Sequence, residues 1–136
     1  MKPALIFPDR LRLQLESEAR AAFPRECCGL IEGTRDLSGY EIAFLHPARN
    51  LSADADRFEI DPAEQIRHVK AARARGAGII GCYHSHPNGK PEPSLRDQAG
   101  AAEENFLWLI AGLTACQSAV TIAPYVFAKN RFEPLL

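Results

Sequence analysis

The run Gly78-Ile79-Ile80-Gly81-Cys82-Tyr83-His84-Ser85-His86-Pro87 continues as Asn88-Gly89-Lys90-Pro91-Glu92-Pro93-Ser94-Leu95-Arg96-Asp97 and decides the reading of this chain. Gly78–Tyr83 is short and almost wholly apolar, the pattern of a strand covered on both faces in the middle of a sheet. It runs straight into His84 and His86. Side chains alternate across a strand, so two residues two apart share a face, with Cα atoms about 6.5–7 Å apart. The loop residues Pro87, Asn88 and Gly89 lead to Pro93, and Ser94–Glu103 reads as a short helix with Asp97 on its first turn.

Working outward, apolar positions Leu11, Leu15 and Ala19 recur at four-residue spacing, predicting a helix over Asp9–Ala22. Pro24 ends it by disfavouring helix in the preceding residue. Cys27–Glu32 reads as a strand, Gly33 and Gly39 bracket a turn, and Tyr40–Leu45 resumes extended structure. Asn50–Asp56 is a polar loop, and Arg57–Ile60 alternates as a further short strand. Asp61-Pro62-Ala63-Glu64 is a strong helix start, with Asp61 as N-cap and Pro62 at the first helical position. Ala63, Ile66, Val69 and Ala72 mark that helix's expected buried face, and Gly76 its stop. Phe106–Leu113 and Ser118–Ala128 read as two more strands. The sum is an α/β fold, with residues 1–136 expected to form a single domain.

Composition narrows the function classes. Hydrophobic residues make up 46% and charged residues 24% of the 136 residues, as in an ordinary globular protein. The net charge is −1, which gives no broad basic field for nucleic acid or anionic lipid. No apolar run approaches the roughly 18 residues of a membrane span, and Ala4–Phe7 is too short for a signal sequence. Cys27, Cys28, Cys82 and Cys116 have no disulfide-ladder or Cys-x-x-Cys spacing. A reduced, cytoplasmic chain is therefore expected, with no membrane or nucleic-acid partner.

The chemistry converges on His84, His86 and Asp97. Two imidazoles from one strand end and a carboxylate on a helix make a three-ligand zinc set with a fourth position left for water, the catalytic pattern. Zinc lowers the pKa of such a water to about 7, and a general base must then take and return the proton. Glu26, at the start of a strand in Pro24-Arg25-Glu26-Cys27-Cys28-Gly29-Leu30, is the leading candidate. Ser94 offers a hydroxyl for a developing oxyanion. Each piece has an ordinary reading alone. His-x-His is often surface or core, Ser-x-x-Asp is a helix-capping signature, and a lone Glu is usually a solvated acid. Together they point to a hydrolase. The cysteines are expected to pack. Arg67, Lys70, Arg73 and Arg75 are expected to form a solvated face, His46 and His68 to lie at the surface, and Trp108 to be core. The deaminase pattern His-x-Glu…Pro-Cys-x-x-Cys is missing.

An upstream Glu26 with His84-Ser85-His86-Pro87 and then Ser94-Leu95-Arg96-Asp97 resembles the JAMM (MPN+) metalloprotease signature. The flanks Pro24–Gly33 and Arg57–Pro62 are similar to that family's corresponding segments, so the likeness covers nearly the whole chain. It implies a cytidine-deaminase-like α/β sandwich with a mixed central sheet flanked by helices. It also implies one Zn2+ per chain held by His84, His86 and Asp97, with Glu26 acting through the metal's water and Ser94 stabilising the tetrahedral intermediate. The implied reaction is cleavage of a peptide or isopeptide bond after the C-terminal glycine of a ubiquitin-like or sulfur-carrier protein. The chain has no room for the insertions with which eukaryotic deubiquitinases hold linked ubiquitins, so it looks more like the small prokaryotic members. A non-catalytic binding module of the same fold and a zinc peptidase of short peptides are the alternatives.

Overall fold

A computed structural model describes residues 2–115 and 119–135. Cys116 and Ser118 lie outside the described residues. The elements in chain order are β1 (Ala4–Ile6), α1 (Asp9–Ala22), β2 (Cys28–Asp36), β3 (Gly39–Ala48), α2 (Pro62–Ala74), β4 (Gly78–His86), α3 (Leu95–Gly100), β5 (Phe106–Gly112), β6 (Thr121–Ala128) and β7 (Arg131–Pro134). The seven strands form one mixed sheet in the order β1-β3-β2-β4-β5-β6-β7. Only β1–β3 and β4–β5 pair in parallel. No helix among the described residues is long and apolar enough to cross a membrane.

The sheet's two faces have different duties. On one, α1 lays Leu11, Leu15 and Ala19 against Ile31, Tyr83, Leu107 and Leu109. Burying each large aliphatic side chain there contributes about 2 kcal/mol. Tyr83 also reaches α1, its hydroxyl donating to Glu18 at 2.7 Å. Period-two alternation then sends Cys82, His84 and His86 to the opposite face, where a smaller cluster of Cys82, Phe106, Trp108 and Phe127 lies. Two glycines let the central strands come this close. A Cβ on Gly29 would sit 2.3 Å from the Tyr83 ring and 2.4 Å from the His46 carbonyl, and one on Gly81 would sit 2.0 Å from the Leu107 carbonyl.

Several elements depart from the sequence reading. Arg57–Ile60 joins no strand; the Asn50 side chain and the Leu51 amide, rather than a neighbouring strand, take up its Arg57 and Glu59 backbone groups. The third helix stops at Gly100, where Ala101 turns extended so that the chain can climb into β5. Gly33 and Gly39 do bracket the tight turn, at 37–38, but β2 runs on past Glu32 to Asp36 and holds Gly33 at a β-bulge against the Glu41 carbonyl. The helix α2 is rotated from its expected face: Ala72 is buried, but Ala63 is exposed and Ile66 is 56% exposed. At the helix's C-terminal end Arg75 pairs with Glu32, which is 1% exposed and also lies 2.8 Å from His46 Nε2 on β3. Arg75 itself stays about half exposed, as expected of a solvated face, with its guanidinium resting on the buried carboxylate. His46 is likewise partly covered and stacks on His68 at 4.5 Å.

Candidate active site

The site lies at the end of β4, where a parallel crossover to β5 leaves a crevice beyond the strand ends, a common place for ligand sites in such sheets. β4 presents both imidazoles on the face away from α1. The pairing of Cys28 with His84 across β2 and β4 brings Glu26, two residues before β2 begins, to the same side. Ser85, between the two histidines, points the other way and is fully buried. Its hydroxyl accepts the Cys27 amide at 2.8 Å, and its own amide bonds the Cys27 carbonyl at 3.2 Å. That double tie fixes the backbone next to Glu26, and sequence reading gave Ser85 no role. Its position between two site residues on an alternating strand was the available signal.

Asp97 enters from α3. Ser94 is the N-cap, accepting the Asp97 amide at 3.1 Å, while Asp97 Oδ2 accepts the Ser94 amide at 2.9 Å. The capping box therefore aims the carboxylate, and the capping and chemical readings of Ser94-x-x-Asp97 coexist. His84 Nε2 and His86 Nε2 are 3.0 Å apart, and each is 3.1 Å from Asp97 Oδ2. Three donor atoms thus form a nearly equilateral triangle. Ligands about 2.0–2.1 Å from one tetrahedral zinc stand about 3.3 Å apart. His86 Nδ1 lies 2.9 Å from the Lys90 carbonyl, a bond that fixes the ring and leaves Nε2 free for a cation. The donor set fits zinc.

Electrostatics agree with this division of labour. Burial keeps His84 neutral by pushing its pKa down. Burial would raise the Asp97 carboxyl, but the bonds from His84, His86 and the Ser94 amide outweigh it and hold the group well below the usual range. Glu26 is only 4% exposed, and its Oε1 has no hydrogen-bond partner among the described residues. Burial pushes its carboxyl up to about 7, partly offset by His86. One carboxylate oxygen of Glu26 lies within 4.8 Å of a ring nitrogen of each histidine. Cys27 and Cys28 are raised by burial to about 12, so neither offers a thiolate near neutral pH.

Two cavities meet here. One, of about 410 Å3, is lined by Glu26, His86 and Ser94, with Lys90 and Leu95 at its rim. The other, of about 630 Å3, shares Arg96 with the first and reaches Asp97, with Leu30, Phe58 and Trp108 in its wall. The segment 50–60 lines both, through Arg57–Ile60 in the larger and Asp56 in the smaller, and is held by side chains. Asn50 donates to the carbonyls of Glu26 (3.1 Å) and Arg57 (3.0 Å) and accepts the amides of Ser52 and Glu59. Arg96 pairs with Asp54 at 3.2 Å, and Arg25 donates to the Ser52 carbonyl. Sequence reading left Asn50 in a featureless loop. Its partners are scattered along the chain, so no local pattern marked it.

A comparison with known families matches residues 8–123 to the model described as prokaryotic homologs of the JAB domain. The chain belongs to the prokaryotic JAB (JAMM/MPN) family. Among curated relatives of this JAB-family chain is a desampylase from Haloferax volcanii. It is 34% identical over 88 residues, covering 64% of this chain and 62% of that protein. A probable TtuB-protein conjugate cleaving protease from Thermus thermophilus is 33% identical over 75 residues, covering 54% of this chain and 47% of that one. The aligned stretches thus span between about half and three fifths of those relatives. The solution structure of protein DSY2949 from Desulfitobacterium hafniense superposes with a TM-score of 0.85 at 28% identity, covering 96% of this chain and 89% of that one. The mixed α/β architecture is thus shared along nearly its whole length.

Proposed function

We propose that this chain is a zinc-dependent hydrolase that cleaves a peptide or isopeptide bond after the C-terminal glycine of a ubiquitin-like or sulfur-carrier protein. The observation that carries the reading is the buried triangle of two imidazole nitrogens and one carboxylate oxygen, with a partnerless Glu26 carboxylate oxygen beside it. The names of the Haloferax and Thermus relatives support the substrate class.

One zinc ion per chain would be held by His84, His86 and Asp97; when bound, it supplies the Lewis acidity that activates water and polarises a scissile carbonyl. Glu26 takes a proton from the attacking water at its free oxygen and returns it to the departing amine. Burial pushes this carboxyl up to about 7 in the zinc-free chain, and a cation beside it would draw it back toward the carboxylate that accepts the proton near neutral pH. Ser94 spends an oxygen lone pair on the Asp97 amide, which leaves its O–H to donate to the developing oxyanion. A flexible C-terminal tail adds main-chain bonds along a strand edge. The segment 57–60, itself in no strand, offers unpaired main-chain groups for such bonds: Asn50 and Leu51 take its Arg57 and Glu59 groups, while the backbone groups of Phe58 and Ile60 have no partner among the described residues. Cys27, Cys28 and Cys82 are free thiols, which supports a cytoplasmic setting.

The test compares zinc-loaded protein on two substrates, a folded ubiquitin-like protein joined through its C-terminal glycine to a lysine-bearing peptide, and the peptide spanning that junction alone. Cleavage of the folded conjugate at the glycine, far faster than of the peptide, is the expected result. Equal rates on both would make the chain a short-peptide peptidase. Binding without cleavage of either would make it a scaffold.

A further inference from the structure

The two histidines are held by different means. His86 is oriented by a hydrogen bond from Nδ1 to the Lys90 carbonyl, the usual arrangement for a ligating imidazole. His84 is fully buried, and its Nδ1 has no hydrogen-bond partner among the described residues. Its ring lies instead against aromatic surfaces. Phe58 stacks on it with centroids 4.5 Å apart and planes 27° from parallel, and Trp108 meets it edge-on at 5.7 Å and 85°. Trp108 is braced in turn by Phe132 at 5.0 Å. Trp108 stands on β5 beside β4, so it is fixed by the sheet. Phe58 stands on the irregular segment that Asn50 clasps to the Glu26 carbonyl.

We propose that Phe58 is a positioning residue for the metal site: its ring face does for His84 what a hydrogen-bond acceptor does for His86, fixing the imidazole plane so that Nε2 points at the ion. The inference rests on the zinc reading of the site and goes beyond it. An imidazole with no bond at Nδ1 can rotate about its Cβ–Cγ axis unless something flat restrains it, and Phe58 and Trp108 restrain it from two sides. The same loop thereby sets two parts of the site, because Asn50 ties the Phe58 segment to the backbone of the proposed base. The outer side of Phe58 faces the 630 Å3 cavity, so whatever occupies that cavity touches the ring that holds the ligand.

The test is zinc affinity by chelator competition, together with the visible spectrum of the cobalt-substituted protein, for Phe58→Leu, Phe58→Tyr and Leu15→Val. Phe58→Leu keeps an apolar side chain but removes the flat face. It is expected to weaken zinc binding about tenfold or more, the scale seen when an outer partner of a metal ligand is lost, and to change the cobalt bands. Phe58→Tyr restores both, since its hydroxyl reaches the open cavity. Leu15→Val, in the core on the opposite, α1 face of the sheet, lowers thermal stability and leaves zinc affinity as in wild type. In the wild-type zinc protein, the His84 ring protons are expected upfield of their position in Phe58→Leu, from the ring current of the stacked phenyl. Wild-type affinity and cobalt bands in Phe58→Leu would overturn the proposal, as would an equal loss in Leu15→Val. Failure of the wild-type chain to bind zinc at all would overturn the reading of the site and this inference with it.

Discussion

Glu26→Gln in the zinc-free protein is expected to stabilise the fold, and only at neutral and alkaline pH. Burial raises the Glu26 carboxyl from 4.5 to about 7, so the folded chain holds this proton more tightly than the unfolded chain does. Below about pH 4.5 both states keep the proton, and the residue costs nothing. As pH rises from there to about 7 the unfolded chain ionises first, and stability falls; above about 7 the loss is complete. At about 1.4 kcal/mol per tenfold change the full displacement corresponds to about 3 kcal/mol. Glu26 borders a cleft open to water, which screens the charge and leaves about 2 kcal/mol. Glutamine cannot ionise and escapes that loss. The assay is thermal or urea unfolding of both proteins with a chelator present, at pH 5 and pH 8. The expected result is a gain for Glu26→Gln of about 6–8 °C at pH 8, and of only about a quarter of that at pH 5. His86, Asp97 and the remaining groups are common to both proteins and largely cancel in the difference. A gain that does not change with pH, or a Glu26→Gln protein less stable at pH 8, would refute the argument that this carboxylate is kept charged against the preference of its surroundings. Zinc should shrink the difference, because a cation beside Glu26 favours the ionised form.

Further perturbations have equally definite outcomes. His84→Ala removes one corner of the donor triangle and should leave protein that retains no zinc after dialysis, measured by metal analysis. Ser94→Ala loses a helix cap worth about 1 kcal/mol and an oxyanion donor, so kcat should fall by about 10²–10³ while zinc is kept; an unchanged kcat would reduce Ser94 to its capping role. Gly29→Ala and Gly81→Ala place a Cβ against backbone and ring atoms at 2.0–2.4 Å, so little folded protein is expected, with well-dispersed NMR spectra as the contrary result.

The clarity of the sequence followed the range of the interactions involved. His84 and His86 on one face of a buried strand, and Asp97 one turn into a capped helix, are local facts that alternation and capping chemistry reveal. The structure brings those residues and Glu26 to one crevice. Periodicity also located α1, whose core contacts are spaced along a single helix. It misplaced the face of α2, whose C-terminal end is tied through Arg75 to Glu32 on β2, a contact between residues far apart in sequence that no local period marks. Arg57–Ile60 has strand-like alternation, yet its inward partner is the Asn50 side chain, which no strand pattern can announce. The short edge strands β1 and β7 carry too few residues to show a period. Phe58 reads as an alternating apolar residue, and only the fold shows that its ring lies on a histidine.

The most direct test of the central claim is an intact-mass time course. The substrate is a sulfur-carrier protein bearing a cysteine adduct on its C-terminal glycine, incubated with wild type and with Glu26→Gln, each shown to carry one zinc. Loss of the cysteine mass with wild type, and loss slower by orders of magnitude with Glu26→Gln, is the result the account requires. Equal rates from the two proteins would contradict it, because the buried carboxylate would then take no part in moving the proton.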